Sequence, residues 1–116
     1  MNPFYTIASK SSIDDKWIFK VKLNSMNKVY EGHFPDLAVT PGALLVQLIK
    51  ELVEEALNKK IRMKEAVNIK FLKMILPSND LEMEVILSIN QNAGLNVSGE
   101  IKVKNTACFK IFSLYM

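Results

Sequence analysis

The stretch Gly32-His33-Phe34-Pro35-Asp36-Leu37-Ala38-Val39-Thr40-Pro41-Gly42-Ala43-Leu44-Leu45-Val46-Gln47 joins two regions with different hydrophobic periods. Upstream, Trp17, Phe19, Val21 and Leu23 alternate with Lys20, Lys22 and Asn24, the period of a strand with one apolar face. Downstream, Leu44, Leu45, Leu48, Ile49, Leu52, Val53 and Ala56 fall on one side of a helical wheel, with Lys50, Glu51, Glu54 and Glu55 on the other. Thr40 suits an N-cap and Pro41 the first helical position, while Asn58, Lys59 and Lys60 suit the end, so a helix is predicted from Pro41 to Leu57. The quoted stretch is therefore a strand-to-helix connection, and the amphipathic helix needs a sheet to lie along.

That sheet is supplied by more segments of period two. Val67, Ile69 and Phe71 make one apolar face, and Leu81, Met83, Val85, Leu87 and Ile89 make another. Leu95, Val97, Ile101 and Val103 follow, then Phe109, Ile111, Ser113 and Tyr115. Turn formers separate them at Pro77-Ser78-Asn79-Asp80, from Asn90 to Gly94 and at Asn105-Thr106, which predicts successive antiparallel strands. A short strand is expected near Phe4-Tyr5-Thr6-Ile7. The expected fold class is α+β, an antiparallel sheet wrapped around one helix. With no internal repeat or linker, residues 1–116 are expected to form a single domain.

Composition narrows the function classes. A hydrophobic content of 49% excludes wholesale disorder. A chain of 116 residues has little packing to give up for a large pocket, which favours pairing with a second copy. The net charge of +3 comes from scattered lysines, including Lys70 and Lys73, and fits either a solvated surface or an acidic partner. No nucleic-acid-binding motif accompanies that charge. The start, Met1-Asn2-Pro3, has no leader-like pattern, and no apolar run approaches the roughly 20 residues that span a bilayer, so a cytoplasmic protein without membrane contact is expected. The one cysteine, Cys108, reads as a small core residue. With one histidine and one cysteine, neither metal ligation nor a Ser-His-Asp arrangement is expected, and no glycine-rich phosphate loop calls for a nucleotide cofactor.

The joint pattern Gly32-His33-Phe34-Pro35, then Pro41-Gly42 at the helix start, resembles the signature of the 3-hydroxyacyl-carrier-protein dehydratases. Lys70-Phe71-Leu72-Lys73 and Pro77-Ser78-Asn79-Asp80-Leu81 are also similar to that family, so the likeness covers nearly the whole chain. It implies a hot-dog fold and a site shared across a dimer, where the histidine of one subunit faces the helix of the other. Dehydration of a 3-hydroxyacyl thioester needs a base beside the carbonyl, stabilisation of the thioester oxygen and an acid for the leaving hydroxyl. By resemblance His33 is the base, the Gly42 N–H binds the thioester oxygen, and Phe34 and Pro41 line the substrate site. His33 suits its task, because an ordinary imidazole is largely neutral near pH 7. The implied partners are an acyl-carrier protein or acyl-CoA thioester and a second copy, as homodimer, higher multiple of dimers or heterodimer with a related chain.

One catalytic position departs from the family. Its acid lies fourteen residues after the histidine, where this chain has Gln47, and an amide orients a hydroxyl or water without supplying a proton. On the wheel Gln47 falls with Lys50, Glu51 and Glu54, so a solvated residue is an alternative to a site residue. Asp36 and Ala38 replace the glycine and proline that the family commonly carries after His-Phe-Pro, and Asp36 is a carboxylate three residues from His33. Three functions stay open: a dehydratase driven mainly by His33, an acyl-binding subunit that pairs with a chain supplying the acid, and a hot-dog thioesterase.

Overall fold

The computed structural model describes residues 4–24, 42–75, 81–91 and 94–116. Among these residues six strands and one helix are formed: β1 (Tyr5–Ile13), β2 (Lys16–Leu23), α1 (Gly42–Leu57), β3 (Met63–Phe71), β4 (Glu82–Asn90), β5 (Leu95–Val103) and β6 (Thr106–Tyr115). The strands make one sheet in the order β1-β2-β4-β5-β6-β3, with every neighbouring pair antiparallel. This is the α+β, helix-plus-wrapped-sheet architecture expected from the hydrophobic periods.

The alternating faces of β2 and β4 form as read. Phe19, Val21, Met83, Val85 and Leu87 are fully buried, and so are Leu48, Ile49, Leu52 and Val53 of α1. The helix lies on the sheet face that carries Phe19 and Phe109, the two largest fully buried side chains. In β5 the alternation passes through Gly99. A Cβ there would sit 3.1 Å from Ile49 Cδ1, so the glycine admits the helix side chain to the sheet. Cys108 is buried, as its apolar neighbours imply.

The helix ends as its sequence directs. Asn58 adopts φ 54°, and the Lys59 N–H donates to the Glu54 carbonyl at 3.3 Å, a Schellman closure that satisfies a terminal carbonyl. Thr40 and Pro41, the predicted cap and first helical residue, lie outside the described residues, and the helix is described from Gly42.

Three expectations are corrected. β1 runs through Ile13 rather than stopping near Ile7, because backbone pairing with β2 carries the polar Ser9-Lys10-Ser11-Ser12 past a bulge between Ile7 and Ser9. The β5–β6 turn is Lys104-Asn105, at φ 52° and 64°, with Thr106 already paired to Val103. Two left-handed residues match the twist of the flanking strands, and asparagine tolerates that conformation.

The third correction concerns β3, which is not the hairpin partner of β4. Among the described residues it pairs only with β6 and forms one edge of the sheet, while β4 inserts between β2 and β5. The Leu72 and Lys73 N–H groups both donate to the Cys108 carbonyl, so the chain leaves β3 still attached to β6. With no strand beyond it among the described residues and register shifts at Met63/Glu65 and Ala66/Asn68, β3 leaves Val67 and Phe71 exposed instead of making a buried apolar face. Among the described residues no helix is long and apolar enough to cross a membrane.

Candidate active site at the helix start

At the N-terminus of α1 the first backbone N–H groups have no intrahelical acceptor, and the helix dipole presents its positive end there. The first turn carries no acidic side chain to neutralise that end. Gly42 opens the helix and is partly buried. Its missing Cβ has a definite structural reason: a Cβ would lie 2.7 Å from both Cε1 and Cζ of Phe71. The Phe71 ring therefore rests on the backbone at the helix start. It also packs against Phe109, with centroids 5.2 Å apart and planes at 54°, yet the residue is 63% exposed.

Phe71 is thus a wall of the candidate site that the sequence reading assigned only to a strand face. Its alternation with Val67 and Ile69 placed it on β3, but nothing local signalled its contact with a glycine 29 residues upstream. The contact arises because β3 ends beside the first turn of α1.

Gln47 lies five residues along the same helix, about 7.5 Å farther down its axis and about 140° around it from Gly42. It is exposed, on the polar side of the wheel where the sequence placed it. Its Nε2 donates to Glu51 Oε2 at 2.7 Å. Glu51 Oε1 in turn accepts the Tyr5 hydroxyl of β1 at 2.6 Å. Burial, then the hydrogen bond to Glu51, pushes the Tyr5 phenol well above its ordinary range, so this hydroxyl stays protonated. The polar face continues with Lys10–Glu55 at 3.2 Å and Lys50–Glu54 at 3.7 Å, while Glu54 Oε2 also accepts the Ile61 N–H at 3.0 Å.

His33, Phe34 and Pro41 lie outside the described residues, as does Asp36. The structure places Gly42 beside Phe71, and Gln47 within a hydrogen-bonded group reaching β1. The opposite face of the sheet carries a separate open groove of 340 Å³, bordered by Lys16, Lys70, Lys110 and Phe112. None of its lining residues belongs to the helix.

Residues 9–109 match the family described as ApeI-like, ApeI dehydratase. The 3-hydroxyacyl-[acyl-carrier-protein] dehydratase FabZ of Clostridium kluyveri is 30% identical over 103 residues, which cover 80% of this chain and 72% of that protein. FabZ of Clostridium perfringens is 27% identical over 123 residues, covering 94% and 88%. Among solved structures, the dehydratase heterocomplex ApeI:P from Xenorhabdus doucetiae superposes with a TM-score of 0.84 over 99% of this chain and 98% of that one, at 11% identity. A thioesterase superfamily protein from Shewanella loihica PV-4 superposes with a TM-score of 0.55 over 93% and 90%, at 14% identity. These likenesses agree with the six-stranded sheet around one helix and with the Gly-His-Phe-Pro and Pro-Gly pattern, and they establish that the chain belongs to the ApeI-like dehydratases of the hot-dog fold.

Proposed function

We propose that the protein dehydrates (3R)-3-hydroxyacyl thioesters carried by an acyl-carrier protein or coenzyme A, in fatty-acid or polyene-type lipid biosynthesis. His33 takes the C2 proton, the freed electron pair forms the C2=C3 bond, and the C3–O bond breaks. The His33 imidazolium returns the proton to the departing hydroxyl, leaving a 2-enoyl thioester and water. Gln47 orients the hydroxyl without protonating it. The Gly42 N–H binds the thioester oxygen where negative charge develops, and Phe34 and Pro41 flank the substrate. The observation that carries this reading is the dehydratase-family match across residues 9–109, which includes the His33 motif and the glycine opening α1.

The site is completed by a second copy. Of the two sheet edges, β1 is polar through Ser9, Lys10, Ser11 and Ser12 up to the exposed Ile13 at its end, whereas β3 exposes Val67 and Phe71, followed by exposed Leu72 and Met74. An unpaired apolar edge favours pairing with another strand. Pairing through β3 sets the Phe71–Gly42 contact, and with it the helix start, next to the partner subunit. The acidic carrier docks against Lys70 and Lys73.

A second reading is a subunit that binds the acyl chain while a related chain supplies the acid. The amide at position 47 favours it, and the ApeI:P structure is a heterocomplex. Turnover of 3-hydroxyacyl-carrier-protein substrates by the purified chain separates the two. Under the first reading the wild type is active, His33→Ala abolishes turnover, and Gln47→Glu preserves or raises it, since acid–base groups are worth about 10²–10⁴-fold. Any gain from Gln47→Glu fades as pH rises and the new acid loses its proton. Under the second, the purified chain is inactive until the related chain is added. Activity that survives His33→Ala defeats both.

A further inference from the structure

The orientation of the Gln47 amide is set by its neighbours. Glu51 accepts Gln47 Nε2 with one oxygen and the Tyr5 hydroxyl with the other, at 2.7 and 2.6 Å. A carboxylate has acceptors and no donors, so the amide must turn its NH₂ toward Glu51. The Gln47 carbonyl oxygen then points away from Glu51, beside the second N–H of the same NH₂, and is the one acceptor that the amide presents to a ligand. Tyr5 lies on β1, 46 residues from Glu51, and its partly buried, charge-assisted bond ties the carboxylate to the sheet rather than to the helix alone.

The neighbouring charges are engaged elsewhere. Glu55 pairs with Lys10 of β1, and Glu54 pairs with Lys50 while accepting the Ile61 N–H.

We infer that Glu51, anchored by Tyr5, is a positioning residue that holds the Gln47 carbonyl oxygen outward, so that position 47 accepts a hydrogen bond from the substrate's 3-hydroxyl. The inference rests on the reading that Gln47 meets that hydroxyl, and it adds a rule for substrate choice. A 3-hydroxyacyl group offers a proton to the carbonyl. A 3-oxoacyl group offers none and sets two acceptor oxygens against each other. Sites built to bond a hydroxyl reject analogues lacking it far more strongly than apolar pockets reject a missing methylene.

The test measures binding rather than turnover. Pantetheine amides of 3-hydroxybutyrate and 3-oxobutyrate replace the thioesters, since an amide's C2–H is too weakly acidic to eliminate, and their dissociation constants are measured by calorimetry on the intact wild-type protein and its variants. The wild type is expected to prefer the hydroxy compound by about tenfold or more, a difference that one good hydrogen bond supplies. Tyr5→Phe keeps the ring and removes the anchor. Glu51→Ala frees the amide entirely. Both are expected to reduce the preference to within about threefold, with the 3-oxo compound gaining affinity as the amide turns its NH₂ outward.

The Gln47 side-chain NH₂ resonances, followed by ¹⁵N-resolved NMR, are expected to move in both variants while the backbone spectrum stays native. A general loss of affinity for both compounds, with the preference unchanged, overturns the positioning role. Should Glu51→Ala fail to fold, Tyr5→Phe decides alone. Wild-type protein that binds neither compound, or Gln47→Ala that keeps full affinity for the hydroxy compound, instead removes the underlying reading that Gln47 touches the hydroxyl. Loss of that affinity in Gln47→Ala, with Tyr5→Phe and Glu51→Ala both retaining the wild-type preference, leaves the reading standing and overturns only the role given to Glu51.

Discussion

Gly42→Ala tests whether the glycine at the helix start is there for Phe71, for a ligand or for both. The added Cβ would stand 2.7 Å from two ring carbons of Phe71, against about 3.5–4.0 Å for carbons in contact, so the ring must recede by roughly 1 Å. Its exposure gives it room to swing outward, at the expense of its packing on Phe109. An aromatic pair of this kind contributes about 0.5–1.5 kcal/mol. Alanine recovers up to about 1 kcal/mol of helix propensity in a helix interior, and less at the first position. The variant should therefore lose no more than about 1 kcal/mol of stability, a few degrees in Tm.

The coupling is measured by denaturing Gly42→Ala, Phe71→Ala and the double variant. Removing the ring removes the clash, so the double variant should be more stable than the sum of the single effects implies, by about 0.5–1.5 kcal/mol. Additivity within about 0.3–0.5 kcal/mol would refute the contact. Activity supplies a separate comparison: a loss in Gly42→Ala that persists in the double variant assigns the glycine to ligand approach, and recovery assigns it to the ring.

Three other outcomes are expected. Val67→Lys places a charge on the exposed apolar edge formed by β3 and should convert a dimer to monomers in sedimentation, whereas a wild type that is already monomeric at micromolar concentration removes the shared-site reading. Ser113→Ala should leave thermal stability unchanged or raised, because the fully buried Ser113 hydroxyl has no partner at bonding geometry among the described residues and only the Tyr115 hydroxyl to interact with, and a drop of 1 kcal/mol or more, about one ordinary hydrogen bond, would show that the two are bonded. Binding of an acidic carrier protein should weaken as salt shortens the Debye length from about 10 Å at 0.1 M to about 3 Å at 1 M, and salt-independent binding would argue against docking through Lys70 and Lys73.

The sequence by itself determined the local elements and the class of chemistry. Period-two alternation along Phe19, Val21, Met83, Val85 and Leu87 and helical spacing from Leu45 to Val53 report burial on one face, and that pattern survives whatever the neighbours are. The Gly-His-Phe-Pro and Pro-Gly pattern marked the dehydratase family because its spacing is carried by the chain itself. The substitution at position 47 was equally plain, since counting residues from the histidine requires no coordinates.

What the tertiary structure decided are relations between segments remote in sequence. Strand order was one: turn formers announce that a chain reverses without naming the strand beside it, so the placement of β3 at an edge, and the exposure of Val67 and Phe71, came from the sheet. The closeness of Phe71 to Gly42 was another, because a glycine's open side is filled by whatever the fold brings there. The surroundings of Gln47 were the third. The wheel put Glu51 one turn away, but the hydroxyl that anchors it comes from Tyr5 on β1, and only the sheet's wrap around the helix brings the two together.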